Sequence, residues 1–144
     1  MPDQIAIPRW EQFQHGADSG IRGIGATKAQ AFEQAALALS GVISVPQKIR
    51  ALNAVDIHCD SDDDEVLLLD WINAIIFEMS AHNMLFGRYQ VTLDGPALSA
   101  TAWGEPVDVG RHSPAVEPKG ATFTELRVGQ DDAGHWIAQC VVDV

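Results

Sequence analysis

In the stretch His15-Gly16-Ala17-Asp18-Ser19-Gly20-Ile21-Arg22-Gly23 one acid is set among glycines, just after one strand-like segment and just before another. Glycine lets a backbone turn tightly and approach a ligand closely, and Asp18 would keep its oxygens free to accept hydrogen bonds or hold a cation. The local alternative is a turn aspartate that bonds its own backbone. A second acid, Asp143, follows Gln139-Cys140-Val141-Val142 at the far end of the chain. The ends of a compact domain are often close, so the two carboxylates converge if the segments around them pair. Converging carboxylates repel, and a hard cation such as calcium or magnesium relieves this, with main-chain carbonyls and water completing its shell. Oxygen ligands favour calcium, magnesium or manganese over zinc.

Other constellations fall short of the chemistry they approach. Gly20-Ile21-Arg22-Gly23-Ile24-Gly25-Ala26-Thr27-Lys28 nearly spells a phosphate-binding loop, but Ala26 takes the lysine position and Thr27-Lys28 come late and reversed. Such a loop needs the lysine on the outer phosphates and the next hydroxyl on magnesium, so only a helix N-terminus that tolerates an anion is left. No Gly-x-Ser-x-Gly stands between a strand and a helix to present a serine nucleophile. His15, His58, His82, His112 and His135 are scattered without metal-binding spacing, which argues against zinc. The acid runs at 60–65 and 131–132 lack EF-hand spacing and read as turn and cap residues. Cys59 and Cys140, the only cysteines, read as small buried hydrophobes. Arg111-His112 either touches a partner or clamps a loop carboxylate such as Glu117.

A single domain, 1–144, is expected to position these residues, because 144 residues at 47% hydrophobic and 20% charged can close one substantial core. Strand-like alternation covers 10–14 and 19–25. Ala29, Phe32, Ala35, Ala36, Leu39 and Ile43 recur at three and four, predicting a helix from 28 to about 40. Thr27 and Gln30 supply its capping box, Gly41 and Pro46 its stop signals. A strand over 48–60 follows, with Ile49, Ala51, Val55, Ile57 and Cys59 on one face. Asp62 and Glu65 suggest a second capping box and a helix from 63 to about 81. Its stripe of Val66, Leu69, Ile72, Ile76 and Met79 is broadened by Leu68, Ile75 and Phe77, so this helix is expected at the centre of the core. Asp70 and Asn73 on its narrow polar side are expected to bond a neighbouring loop, and Trp71 to pack.

Strands over 88–93 and 97–104 make a hairpin about Asp94-Gly95-Pro96, and 105–118 carries too many prolines and glycines for a regular element. Strands over 119–128 and 135–144 close the chain about a loop at 129–134. The order ββαβαββββ describes an α+β domain in which two helices cover antiparallel sheet.

Five segments in register make the chain similar to the archease family from end to end. They are His15 to Gly23, close to the family's His-Thr-Ala-Asp-x-Gly; Ala31-Phe32-Glu33-Gln34-Ala35-Ala36-Leu37-Ala38-Leu39; Leu68-Leu69-Asp70-Trp71-Ile72-Asn73; Ala102-Trp103-Gly104-Glu105-Pro106-Val107-Asp108-Val109-Gly110-Arg111-His112; and Val141-Val142-Asp143-Val144. The resemblance implies a protein cofactor of an RtcB-type RNA-splicing ligase, one that promotes guanylylation by GTP and repeated turnover in tRNA splicing or RNA repair. It implies a divalent metal ion, calcium first with magnesium or manganese as alternatives, on Asp18, Asp143 and the main-chain carbonyl of Val144. Lys119 occupies the place of a lysine important in the family. His15, Arg111 and His112 are the other candidates for contact with a partner. Gly16 stands where the family has threonine, and Phe123-Thr124 where it has Tyr-His.

Twenty acids against nine bases give a net charge of −11. Such a surface repels a phosphate backbone, so direct nucleic-acid binding is not expected, whereas a ligase basic enough to hold RNA and GTP suits it. Met1 to Arg9 has no basic and then apolar leader, and no run nears the roughly 20 apolar residues of a membrane span. A cytoplasmic location is therefore expected. The competing reading is a small stand-alone metal-dependent hydrolase, with Asp18 and Asp143 as ligands and His15 as general base.

Overall fold

The computed structural model describes residues 6–144, so most of the segment behind the leader expectation lies outside the described residues. Two strands, β1 (Arg9–His15) and β2 (Asp18–Gly25), pair antiparallel and lead into α1 (Lys28–Ile43). Thr27 caps this helix as expected, its hydroxyl accepting the Gln30 amide at 3.1 Å. The Gln30 side chain returns to the amide of Ala26 at 2.8 Å, one residue earlier than a capping box predicts. The helix also runs through Gly41, which is not a stop: a Cβ there would come within 2.7 Å of the Trp10 indole, so the glycine makes room for that ring. At Gly23 a Cβ would stand 2.0 Å from the Ala31 carbonyl oxygen, so this glycine of the would-be phosphate loop lets α1 lie close on β2 instead.

Pro46 opens a 3₁₀ turn (Pro46–Lys48), so β3 (Asn53–Asp60) begins five residues later than the strand expected from 48. In α2 (Asp64–His82) the cap is Asp63 and not Asp62: its Oδ1 accepts the amides of Glu65 at 2.8 Å and Val66 at 3.1 Å. Asn83, left-handed at φ 52°, ends the helix. The hairpin of β4 (Met84–Asp94) and β5 (Ala97–Pro106) forms about the expected turn, with a register shift between Phe86 and Arg88.

Two expectations fail beyond that hairpin. A one-turn helix, α3 (Val109–His112), interrupts the stretch expected to be irregular, because Asp108 caps it by accepting the Arg111 amide at 3.1 Å. The single strand expected over 119–128 is two short ones, β6 (Gly120–Ala121) and β7 (Arg127–Gln130). A turn separates them, in which the Leu126 amide reaches the Phe123 carbonyl and Glu125 adopts φ 55°. The last strand is β8 (Trp136–Asp143).

The strands make two antiparallel sheets, one ordered β1-β2-β8-β6 with β7 also on β8, the other β3-β5-β4. Both long helices touch both sheets: α1 packs on β1, β2 and β8 and on β4, while α2 packs on β3 and β4 and on β6, β7 and β8. The helices thus form a layer between sheets and do not merely cover one. That placement explains sequences apolar on most of their circumference. Phe32, Leu39, Leu67, Leu68, Trp71, Ile72 and Ile75 are fully buried there. Trp71 packs as expected, with Nε1 donating to the Phe32 carbonyl at 3.0 Å and its ring edge-on to Tyr89. Phe77, assigned to the apolar stripe, is instead 65% exposed. Cys140 is buried, which pushes its thiol up to about 12, but Cys59 is only half-buried.

Candidate metal site at the strand ends

The register of the larger sheet brings the two ends of the chain together. Ser19 lies opposite Val142, so one step further Asp18 of β2 faces Asp143 of β8. On one flank His15 of β1 pairs with Asp18, and on the other Gly120 of β6 pairs with Asp143. The Lys119 amide donates to the Asp143 carbonyl at 2.8 Å. His15, Asp18, Asp143 and Gly120 therefore stand in one row across four strand ends, with Lys119 the residue before Gly120. Residues directly opposite on adjacent strands present their side chains on one face, Cβ atoms about 5 Å apart.

Local chemistry keeps the row in place. Gly16, left-handed at φ 60°, turns the β1–β2 hairpin just before Asp18, a conformation that costs glycine little. The Val144 amide reaches Asp18 Oδ1 at 3.4 Å, tying the residue after β8 to the start of β2. Asn73 of α2 accepts the Ala121 amide at 2.8 Å and so holds β6, as expected of its polar side chain; Asp70 faces solvent instead. Losing that acceptor strands a half-buried amide, so Asn73→Ala is expected to cost about 1–2 kcal/mol. Hydrogen exchange should show the Ala121 amide losing protection while the amides of β1 keep theirs.

Two carboxylates side by side need positive charge. Among the described residues, none of the ion pairs involves Asp18 or Asp143, and no three His, Cys, Asp or Glu side chains converge into a ligand cluster. The donor set at the row is two carboxylates with neighbouring main-chain oxygens, hard ligands that fit a calcium-like cation with water filling the shell. Asp18 also lines a hollow of about 330 Å³ with Phe13 and Ser19. Lys119, next to Gly120 at the other end of the row, lines a cleft of about 820 Å³ together with Ile76, Met79 and Val116.

Arg111 and His112 do not join the row. They clamp a carboxylate, and it is Glu105, not Glu117. Glu105 at the end of β5 is 1% exposed and receives Arg111 Nη2, Arg50 Nε at 2.9 Å, the Arg50 amide at 2.7 Å and His112 Nε2 at 3.0 Å. The His112 ring is buried and its Nδ1 accepts the Asp108 amide at 2.9 Å, while Arg111 Nη1 reaches the Lys48 carbonyl at 2.7 Å. Arg111 above all, opposed by burial and aided by Arg50 and His112, holds the Glu105 carboxyl far below its usual range. Only packing distant in sequence reveals this acid; its local signal was limited to Arg111-His112 in search of a partner.

With a folded-state pKa below the unfolded one, this knot's stabilisation is present above about pH 4.5 and is lost as pH falls toward the folded value. Glu105→Gln is therefore expected to lower the urea midpoint at pH 7, and the gap from the parent chain to narrow on acidification to pH 3.

Fold and row together define a two-sheet α+β protein that sets an acid of its second strand opposite an acid of its last. It matches the archease protein family (MTH1598/TM1083) over residues 10–144, and the chain belongs to that family. It is 35% identical to protein archease of Pyrococcus furiosus over 140 residues, 94% of this chain and 99% of that one. It is 34% identical to protein archease of Sulfolobus acidocaldarius, covering 96% of this chain and all of that one. The solution structure of protein 1598 from Methanobacterium thermoautotrophicum superposes with a TM-score of 0.84 at 28% identity, covering 96% of this chain and 100% of that one. An archease from Thermotoga maritima, described as a possible chaperone, shares the fold with a TM-score of 0.62 at 19% identity, over 93% and 96% of the two chains. No helix among the described residues is long and apolar enough to cross a membrane.

Proposed function

We propose that this chain is an accessory protein that activates an RtcB-type RNA-splicing ligase, promoting its guanylylation by GTP and its multiple turnover in tRNA splicing or RNA repair. The observation that carries the reading is the register that sets Asp18 opposite Asp143, with Lys119 tied to Asp143 through its amide, on a chain of the archease family. Asp18 and Asp143, with the main-chain carbonyl of Val144, would hold a divalent cation, calcium first and magnesium or manganese next. When bound, the ion supplies positive charge that neutralises the two acids and can organise contact with the ligase. Lys119 is fixed through its amide while its exposed side chain stays available to a partner. The net charge of −11 suits approach to a basic active site.

The test is ligase guanylylation with radiolabelled GTP, with and without this protein. A clear rise in rate, together with no phosphoester turnover by the protein alone in calcium, manganese or zinc, supports the accessory reading. Turnover by the protein alone, lost in Asp18→Ala, would establish the hydrolase instead.

A further inference from the structure

The bases of this acidic chain are unevenly placed. Lys48, Arg50 and Arg111 are three of its nine lysines and arginines; the two arginines bond Glu105, and the main chain of Lys48 lies beside them. Arg50 remains 64% exposed and Arg111 34% exposed while both are pinned to Glu105. Lys48 is exposed and gives its carbonyl to Arg111. Of the acids that bond these segments, Glu105 is buried, while Asp108 caps α3 and is itself exposed. The exposed large hydrophobics cluster here as well. Val45 (46%), Leu52 (61%) and Val109 (72%) each lie within three residues of Lys48, Arg50 or Arg111, and with Phe77 and Phe123 they complete the set among the described residues.

We propose that this face, formed by Val45, Lys48, Arg50, Leu52, Val109 and Arg111, docks an acidic segment of a partner protein that also carries apolar side chains. Charge complementarity selects the acid: a basic island in a surface of net −11 attracts carboxylates, and its two guanidiniums are held ready by Glu105, so little side-chain entropy is lost on binding. The apolar rim selects protein over RNA, since exposed valine and leucine offer nothing to a phosphodiester and the surrounding charge repels it. This surface stands apart from the ligase reading, and its test does not use the ligase.

The experiment is an NMR titration of the ¹⁵N-labelled chain with the blocked peptide acetyl-Glu-Glu-Leu-Asp-Glu-Leu-Phe-Glu-amide, and in parallel with oligouridylate and inorganic phosphate. The expected result is saturable shifts confined to the amides of Val45 to Leu52 and Val109 to Arg111. Lys48→Glu/Leu52→Ser should weaken peptide binding about tenfold; both side chains are exposed and outside the knot, so an unchanged spectrum elsewhere certifies the fold. The proposal is overturned by no peptide shifts at this face, by equal binding to the double variant, or by tighter binding of oligouridylate or phosphate. It is equally overturned if the free chain self-associates through this face and Lys48→Glu abolishes the association, for then a second copy is the occupant.

Discussion

Trp71→Ala is expected to lower the unfolding free energy by about 3–5 kcal/mol, a large share of the roughly 5–15 kcal/mol that holds a domain of this size together. Trp71 is wholly buried in the helix layer, edge-on to Tyr89. The truncation removes the largest ring of the core and leaves a cavity touching α1 and the smaller sheet. It also strands the Phe32 carbonyl, which loses the indole N–H at 3.0 Å. Trp71→Phe keeps much of the volume but not the donor, so its loss relative to the parent chain is chiefly the hydrogen bond, about 1–2 kcal/mol, and the further loss in Trp71→Ala is the cavity. A Trp71→Ala chain with unaltered urea midpoint would show that this layer is not the keystone of the fold.

Asp18→Ala and Asp143→Ala should each remove most of the ligase stimulation, by tenfold or more, while moving stability by under about 1 kcal/mol because both lie at strand ends. A binding readout separates loss of the ion from loss of shape. Calcium in large excess over its dissociation constant should stabilise the parent chain by about 2–3 kcal/mol, a rise in Tm of several degrees that chelator reverses. The double alanine variant should show no such rise. If it keeps full stimulation, the acids have no part in activation, whatever they bind.

Local sequence made the helices, their capping region and the two hairpins legible, since periodicity, Thr27 and Asp94-Gly95-Pro96 act over a few residues. The error at the second helix was a shift of one cap, from Asp62 to Asp63, within a run where three adjacent aspartates offer the same chemistry. What escaped was long-range. That the strands divide into two sheets depends on which edges meet, and Phe77 was misassigned because its exposure is decided by the cleft beside it. The pairing of Asp18 with Asp143 came from the expectation that the ends meet, and register then supplied the residue-level partner. Glu105 escaped because its partners Arg50, Arg111 and His112 come from segments before and after it in the chain.

β8 follows every other strand in the chain yet lies inside the larger sheet, flanked by β2 on one side and by β6 and β7 on the other. During synthesis the β1–β2 hairpin and both helices must therefore wait, with one edge of β2 unpaired, until residues 136–143 leave the ribosome. Pairings of such sequence separation close slowly, because chain entropy is lost before contacts reward it. The row of acids is thus assembled by the same event that completes the sheet. A chain that stops short of β8 has Asp18 without the carboxylate that faces it.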